Sequence, residues 1–233
     1  MEDIVNIVKR EIIDKMDVSL SISNVEILEV AQNEFISKIT VCDIKWARIG
    51  KYVIDEIGVF YNILEIDYNL NLITVKNSFE SLTGLLYVPY YFYGTPIQVN
   101  SEWGAVTKIE VNKIPFIWLI EPLNENTFGR DNSLERTSEI RLLFVDGRFV
   151  TNWKVKDIHE FRIQSLLNMV EQFKESVNAN RIFQRVTDYR VKTLTKLGSE
   201  SEQGFLKNIL DANLTAVELR FTLPIYKGYD CKC

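Results

Sequence analysis

The stretch between Pro115 and Pro224 constrains the fold more than any other part of the chain. An apolar run, Pro115-Phe-Ile-Trp-Leu-Ile-Glu-Pro122, leads through a polar segment to Glu139-Ile-Arg-Leu-Leu-Phe-Val145. Phe161, Leu166, Leu167, Val170, Phe173 and Val177 then recur at helical spacing, which predicts a long helix ending near residue 178. Over 215–223, Val217, Leu219, Phe221 and Leu223 alternate with Glu218, Arg220 and Thr222, the pattern of a half-buried strand. Two strands, a helix and a late strand predict a sheet with a helix laid across it.

Ahead of this stretch the character is different. Ile4, Val5, Val8, Ile12, Ile13 and Met16 recur at helical spacing, with Glu2 and Asp3 at the end where the helix dipole favours anions. From residue 25 to 111, β-branched and aromatic residues come in short runs cut by polar turns. Strands are expected near 25–30, 35–42, 52–54, 59–66, 72–75, 97–99 and 107–111. The clearest hairpin joins 60–66 to 72–75 through Asp67-Tyr-Asn-Leu-Asn71, whose residue types tolerate turn geometry. Short strands with few helical signals suggest a small barrel or sandwich. The economical organisation is an insertion. Residues 1–20 and 112–233 form one discontinuous domain, and residues 21–111 form a β-rich domain set into an early loop. The expected fold class is therefore α+β with an inserted all-β domain. Residues 123–138 are polar and expected to form a mobile loop, 189–197 to form a strand, and 203–211 a short helical turn.

The residues for chemistry are sparse. The one histidine, His159, follows Asp157-Ile at an expected helix start, so Ser-His-Asp and Cys-His schemes would both depend on it. Isolated glycines such as Gly147 and Gly198 form no phosphate-binding fingerprint. Cys42, Cys231 and Cys233 are an odd count without a disulfide framework, which points to a reducing compartment, and the terminal pair lacks further ligands for a metal. No enzyme activity, cofactor or metal is expected. The formal charge of −5, from 27 basic and 32 acidic side chains, argues against a general nucleic-acid binder. No run approaches the roughly 20 apolar residues that cross a bilayer, and the acidic start has the wrong sign for a secretory leader.

Two segments suggest contact surfaces. Leu85-Leu-Tyr-Val-Pro-Tyr-Tyr-Phe-Tyr93 is nine consecutive apolar or aromatic residues with four tyrosines. It reads as a core strand bent at Pro89 or as an aromatic strip for a partner or a glycan, since tyrosine offers stiff contact area at low entropy cost. Alternation prevents all four rings from facing one way. Tyr87, Tyr90, Tyr91, Tyr93 and Trp103 are the candidate binding residues of this region. The second segment, Arg130-Asp-Asn-Ser-Leu-Glu-Arg136, mixes charges. It reads as a solvated connection or as an arm against a neighbouring copy, with Arg130, Glu135, Arg136 and Arg141 in intersubunit ion pairs. Asn180-Arg-Ile-Phe-Gln-Arg-Val-Thr-Asp-Tyr-Arg190 is similar, with three arginines among aromatics.

Pro115-Phe-Ile-Trp-Leu-Ile-Glu-Pro122, Glu135-Arg-Thr-Ser-Glu-Ile-Arg-Leu-Leu-Phe-Val-Asp146, Asn152-Trp153 and Val217-Glu-Leu-Arg-Phe-Thr-Leu-Pro-Ile225 together resemble the tail-terminator or head-closure ring proteins of tailed bacteriophages, in particular those of crAss-like phages of Bacteroidetes. The likeness is one of element order and composition over about half of the chain. It implies a tail-terminator-like sheet with a long packed helix, no catalytic residues, and assembly into a closed ring of about six or about twelve copies. It also implies docking between portal or adaptor proteins and the tail, DNA passing through the lumen without specific binding, and residence in the virion after assembly in the host bacterial cytoplasm. The inserted β domain departs from the minimal terminator pattern.

Overall fold

A computed structural model of the chain describes residues 3–32, 34–104, 114–128, 135–147, 158–195, 197 and 214–225. The chain is mostly β with few helices, and it holds a closed six-stranded barrel and a second sheet. It separates into two compact units, Met1–Met16 with Pro89–Cys233, and Asp17–Val88.

The Asp17–Val88 unit is the barrel. Its strands are β1 (Ser19–Ala31), β2 (Glu34–Val41), β3 (Tyr52–Ile54), β4 (Phe60–Asp67), β5 (Leu72–Lys76) and β6 (Thr83–Leu85), in the order β1-β2-β5-β4-β3-β6. Ser19↔Leu85 and its neighbours close β6 onto β1, which removes the sheet edges there. Inward residues follow the alternation of each strand: Leu20, Ile39, Val41, Val53, Ile63, Ile73 and Val75 are all buried. The turn after β4 forms because the Asp67 carboxylate accepts from the Asn69 and Leu70 amides, at 2.9 and 3.1 Å, and Asn71 takes a positive φ of 51°. At Gly84 a Cβ would lie 2.7 Å from Val53 Cγ1, so only glycine lets β6 close over the interior.

One charge sits awkwardly in this unit. Lys51 is half-buried close to the buried Arg48, and loss of hydration with the Arg48 charge lowers its pKa from 10.5 to about 8. Below pH 8 both folded and unfolded chains hold this proton and folding carries the full penalty. Between pH 8 and about 10.5 the folded chain releases a proton that the unfolded chain keeps, so stability rises with pH. Lys51→Met is expected to remove that rise and to stabilise the barrel at pH 7 by about 1 kcal/mol after solvent screening. Urea midpoints across pH 7 to 10.5 for both proteins check this; an unchanged slope in the variant would refute it.

The other unit begins with α1 (Ile4–Glu11). Asp3 caps it by accepting from the Val5 amide at 3.4 Å, and Ile4, Val5, Ile7 and Val8 are buried. The sheet is made of β7 (Tyr90–Gly94), β8 (Phe116–Ile120), β9 (Asn124–Phe128), β10 (Glu135–Gly147), β11 (Arg190–Leu194) and β12 (Leu214–Ile225). Its order is β11-β12-β10-β8-β7, with β9 beside the first half of β10. β7 and β8 are parallel, and α2 (Pro96–Gly104) lies in the crossover between them. A five-residue π-helical stretch, His159–Ile163, leads into α3 (Gln164–Ala179). α3 buries Leu166, Met169, Val170, Phe173 and Val177; the Phe173 ring meets Phe144 of β10 at 5.6 Å and Phe221 of β12 at 6.1 Å, both edge-on.

Several expectations are corrected. Residues 97–99 are helical. Thr95 and Gln98 form a reciprocal cap, the Thr95 amide donating to Gln98 Oε1 at 2.8 Å and the Gln98 amide to Thr95 Oγ1 at 3.5 Å, and Pro96 stands at the first helical position. The polar segment 123–138 contributes β9 and the start of β10, because pairing along β10 outweighs its composition. The barrel unit ends at Val88, before the second half of the aromatic strip, since Tyr90–Gly94 pairs with β8. The expected strand 107–111 and turn 203–211 lie outside the described residues. Among the described residues no helix is long and apolar enough to cross a membrane.

Candidate functional site: an arginine row on the second sheet

Register places Arg190 of β11 opposite Arg220 of β12, and Arg220 opposite Arg141 of β10. Cross-strand partners share a sheet face, so three guanidinium groups lie side by side across three adjacent strands. Like charges directly opposite repel, and this row is held by one carboxylate. Glu218, 4% exposed, accepts from Arg220 Nε at 3.0 Å and Nη2 at 2.9 Å and also from Arg141 Nε.

The same face changes character along the strands. Past the arginines it is apolar: Leu143, Val145, Leu194, Leu214 and Ala216 join Phe92, Phe116, Trp118, Val99 and Ile114 in one buried cluster. On the opposite face, Phe144 and Phe221 meet α3. The arginine end is left as an open concavity of about 640 Å³, edged by Arg185, Asp188, Glu139 and Asn124, with Pro122, Val186 and Pro224 supplying apolar lining. Asn124 Nδ2 occupies Glu139 Oε2 at 3.0 Å. Arg185 and Arg190 are exposed and have no ion-pair partner among the described residues. The site thus sets cationic forks and the carboxylates of Glu139 and Asp188 beside an apolar lining, and free guanidinium forks of this kind can hold carboxylates.

The sequence-predicted residues scatter. Arg136 is buried and its fork grips Glu125 within the chain, at 2.7 to 3.0 Å. It stands an odd number of residues from Arg141, so the two face opposite sides of β10. Arg141 belongs to the row. Glu135 begins β10 and Arg130 lies outside the described residues. The aromatic strip is divided. Tyr87 stays with the barrel, where its carbonyl accepts from Trp46 Nε1 at 2.9 Å and its ring stacks on Phe60 at 6.0 Å. Tyr90 and Tyr93 are exposed on β7. Tyr91 turns inward: burial pushes its hydroxyl well above the ordinary range, and it donates to the Val5 carbonyl at 3.4 Å. Trp103 lies in α2. His159 is exposed in the π-helical stretch.

Arg185 and Arg190 lie in the arginine-rich segment 180–190 that the sequence marked as similar in character to the arm, whereas Arg220 was not singled out. The available signal was the recurrence of arginine through 180–190 together with Arg220 in the alternating strand. The barrel presents a second surface that composition hides. Phe60, Ile54 and Leu85 are cross-strand partners, and Tyr52 and Tyr87 extend the row on the same outward face. Tyr52, Phe60, Leu85 and Tyr87 are all exposed.

Comparison with protein-family models, with curated proteins and with solved structures finds no match in any of the three.

Proposed function

We propose that this chain is a structural subunit of a cyclic ring in the neck or tail connector of a tailed bacteriophage, joining portal-side proteins to the tail by self-assembly and docking. The observation that carries the reading is the pair of unlike ends on the second sheet. β11 ends it on one side and β7 on the other, and among the described residues no strand pairs with the outer side of either. Unpaired strand edges recruit partners unless protected. Two different edges on one sheet permit head-to-tail contacts, which close into a ring when the rotation allows. β11 carries an exposed apolar residue, Val191, at 41%. β7 exposes Tyr90 and Tyr93. The mixed, slightly acidic surface suits DNA passage through a lumen without gripping phosphate. The ring belongs in the virion and needs no cofactor or catalytic residue.

Native mass spectrometry of the purified chain tests this. One closed multiple of the subunit mass is expected, and Val191→Lys should weaken assembly about tenfold without changing the fold. A chain that remains monomeric at every concentration overturns the ring. An unaltered ring in the lysine variant overturns the role of β11.

A second reading, a barrel that docks fibres or other ligands, is favoured by the exposed row of Tyr52, Phe60, Leu85 and Tyr87. Such a patch marks a contact surface when it is contiguous. A monomer that binds a glycan or a purified fibre, and loses that binding in Phe60→Ala, would favour it over the ring.

A further inference from the structure

The outward row of the barrel is aromatic, continuous and open. Tyr52 meets Phe60 edge-on with ring centroids 6.1 Å apart, and Phe60 stacks on Tyr87 at 6.0 Å. Tyr52, Phe60, Leu85 and Tyr87 are 38 to 51% exposed. Register sets Ser19, Ser21, Ile54, Asn62 and Thr83 on the same face, and none of these is basic. Glu56 borders them and accepts from Thr83 Oγ1 at 2.6 Å. A contiguous exposed row of this kind marks a contact surface. A second barrel is a poor cover for it. Residues 17–88 hold ten acidic and five basic side chains, which accounts for the whole net charge of −5, so two barrels repel.

We infer that this aromatic row docks onto the arginine concavity of a second copy of the chain. Arg185 and Arg190 stand exposed there, beside the apolar lining of Pro122, Val186 and Pro224. A guanidinium plane stacks on the faces of tyrosine and phenylalanine, which supply apolar contact and a negative quadrupole together. The concavity also holds Glu139 and Asp188, so a carboxylate-rich occupant would meet its own charge, whereas a neutral aromatic one does not. Arg190 stands on β11, the strand whose edge the ring reading uses, so the two contacts meet on one strand. The row and the concavity lie on different units, so each copy offers one of each. Such a contact is heterologous, and repeated with a closing rotation it generates a ring. It deepens the ring reading and rests on its self-association.

Two doubly substituted proteins test it. Phe60→Ala with Tyr87→Ala removes the row and keeps the concavity, and Arg185→Gln with Arg190→Gln removes the free forks and keeps the row. Each alone should self-associate about 30-fold more weakly than the native chain. An equimolar mixture should restore one contact of native strength per pair, because the intact row of one protein meets the intact concavity of the other. Native mass spectrometry reads that contact as a one-to-one heterodimer. A mixture that pairs no better than the separate proteins overturns the proposal, since the two surfaces then do not meet. Circular dichroism verifies that each protein is folded. Should a double variant fail to fold, Tyr87→Ala or Arg190→Gln alone replaces it, with about a fivefold loss expected. Native-strength assembly in any folded variant overturns the contact and leaves the ring reading standing. A native chain that never associates overturns both.

Discussion

Replacing Trp118 by alanine is expected to destabilise the second-sheet unit by about 4 kcal/mol, enough to leave a domain of ordinary stability largely unfolded. Trp118 is fully buried in the middle of β8, opposite Phe92 of β7 and Leu143 of β10. It therefore touches both neighbours of its strand and anchors the cluster that fills the apolar half of that sheet face. Removing the indole opens a cavity lined by side chains already fixed by two strands, which limits collapse. It also strips the Gly94 carbonyl of a donor at 3.0 Å. Trp118→Phe separates the two effects: it keeps most of the volume and loses the hydrogen bond, at an expected 1 to 2 kcal/mol, a rough figure. Urea unfolding followed by amide circular dichroism measures both. A loss below about 1 kcal/mol for the alanine variant would mean that the cluster is not the core of this unit.

The parts of this fold that were legible in the sequence are those fixed by neighbours along the chain. Val217, Leu219, Phe221 and Leu223 alternate along β12, which runs over Leu214–Ile225, but the expected half-buried pattern holds only beyond Leu219, because from Leu214 to Leu219 the other side is buried as well. Asp67 and Asn71 mark the β4–β5 turn through their own side-chain chemistry. The segment Asn124-Glu-Asn-Thr-Phe128 resembles a loop by composition. It becomes β9 because β10 offers it a ladder from Glu135 to Glu139, a partner that no local pattern announces. Tyr90–Gly94 is continuous in character with Leu85–Val88, yet it joins a different sheet through a parallel pairing with a strand beyond α2. Non-local pairing also hides the candidate site. Arg141, Arg190 and Arg220 are far apart in the chain and converge only through two registers. The fork of Arg136, read from sequence as available to a partner, is used by Glu125. The cap of α2 is the opposite case. Thr95, Pro96 and Gln98 carry the helix signal openly, and the β-branched Ile97 and Val99 obscure it.

Glu218→Gln is the second change with a large expected effect. The side chain keeps its shape and loses its charge, which leaves Arg141, Arg190 and Arg220 opposite one another with no carboxylate beneath them. Breaking a buried ion pair by removing one partner commonly costs 3 to 5 kcal/mol, a rough range. Here Arg141 and Arg220 are 38% and 53% exposed at the side chain, so water offsets part of the repulsion and about 2 kcal/mol is expected. The loss should shrink as salt is raised, because screening acts on the arginines and not on the shape of residue 218. Adding Arg220→Gln to the glutamine variant should recover part of the stability, and that coupling is the direct measure of the row's repulsion. A loss insensitive to salt would point to packing at residue 218 and remove the electrostatic account.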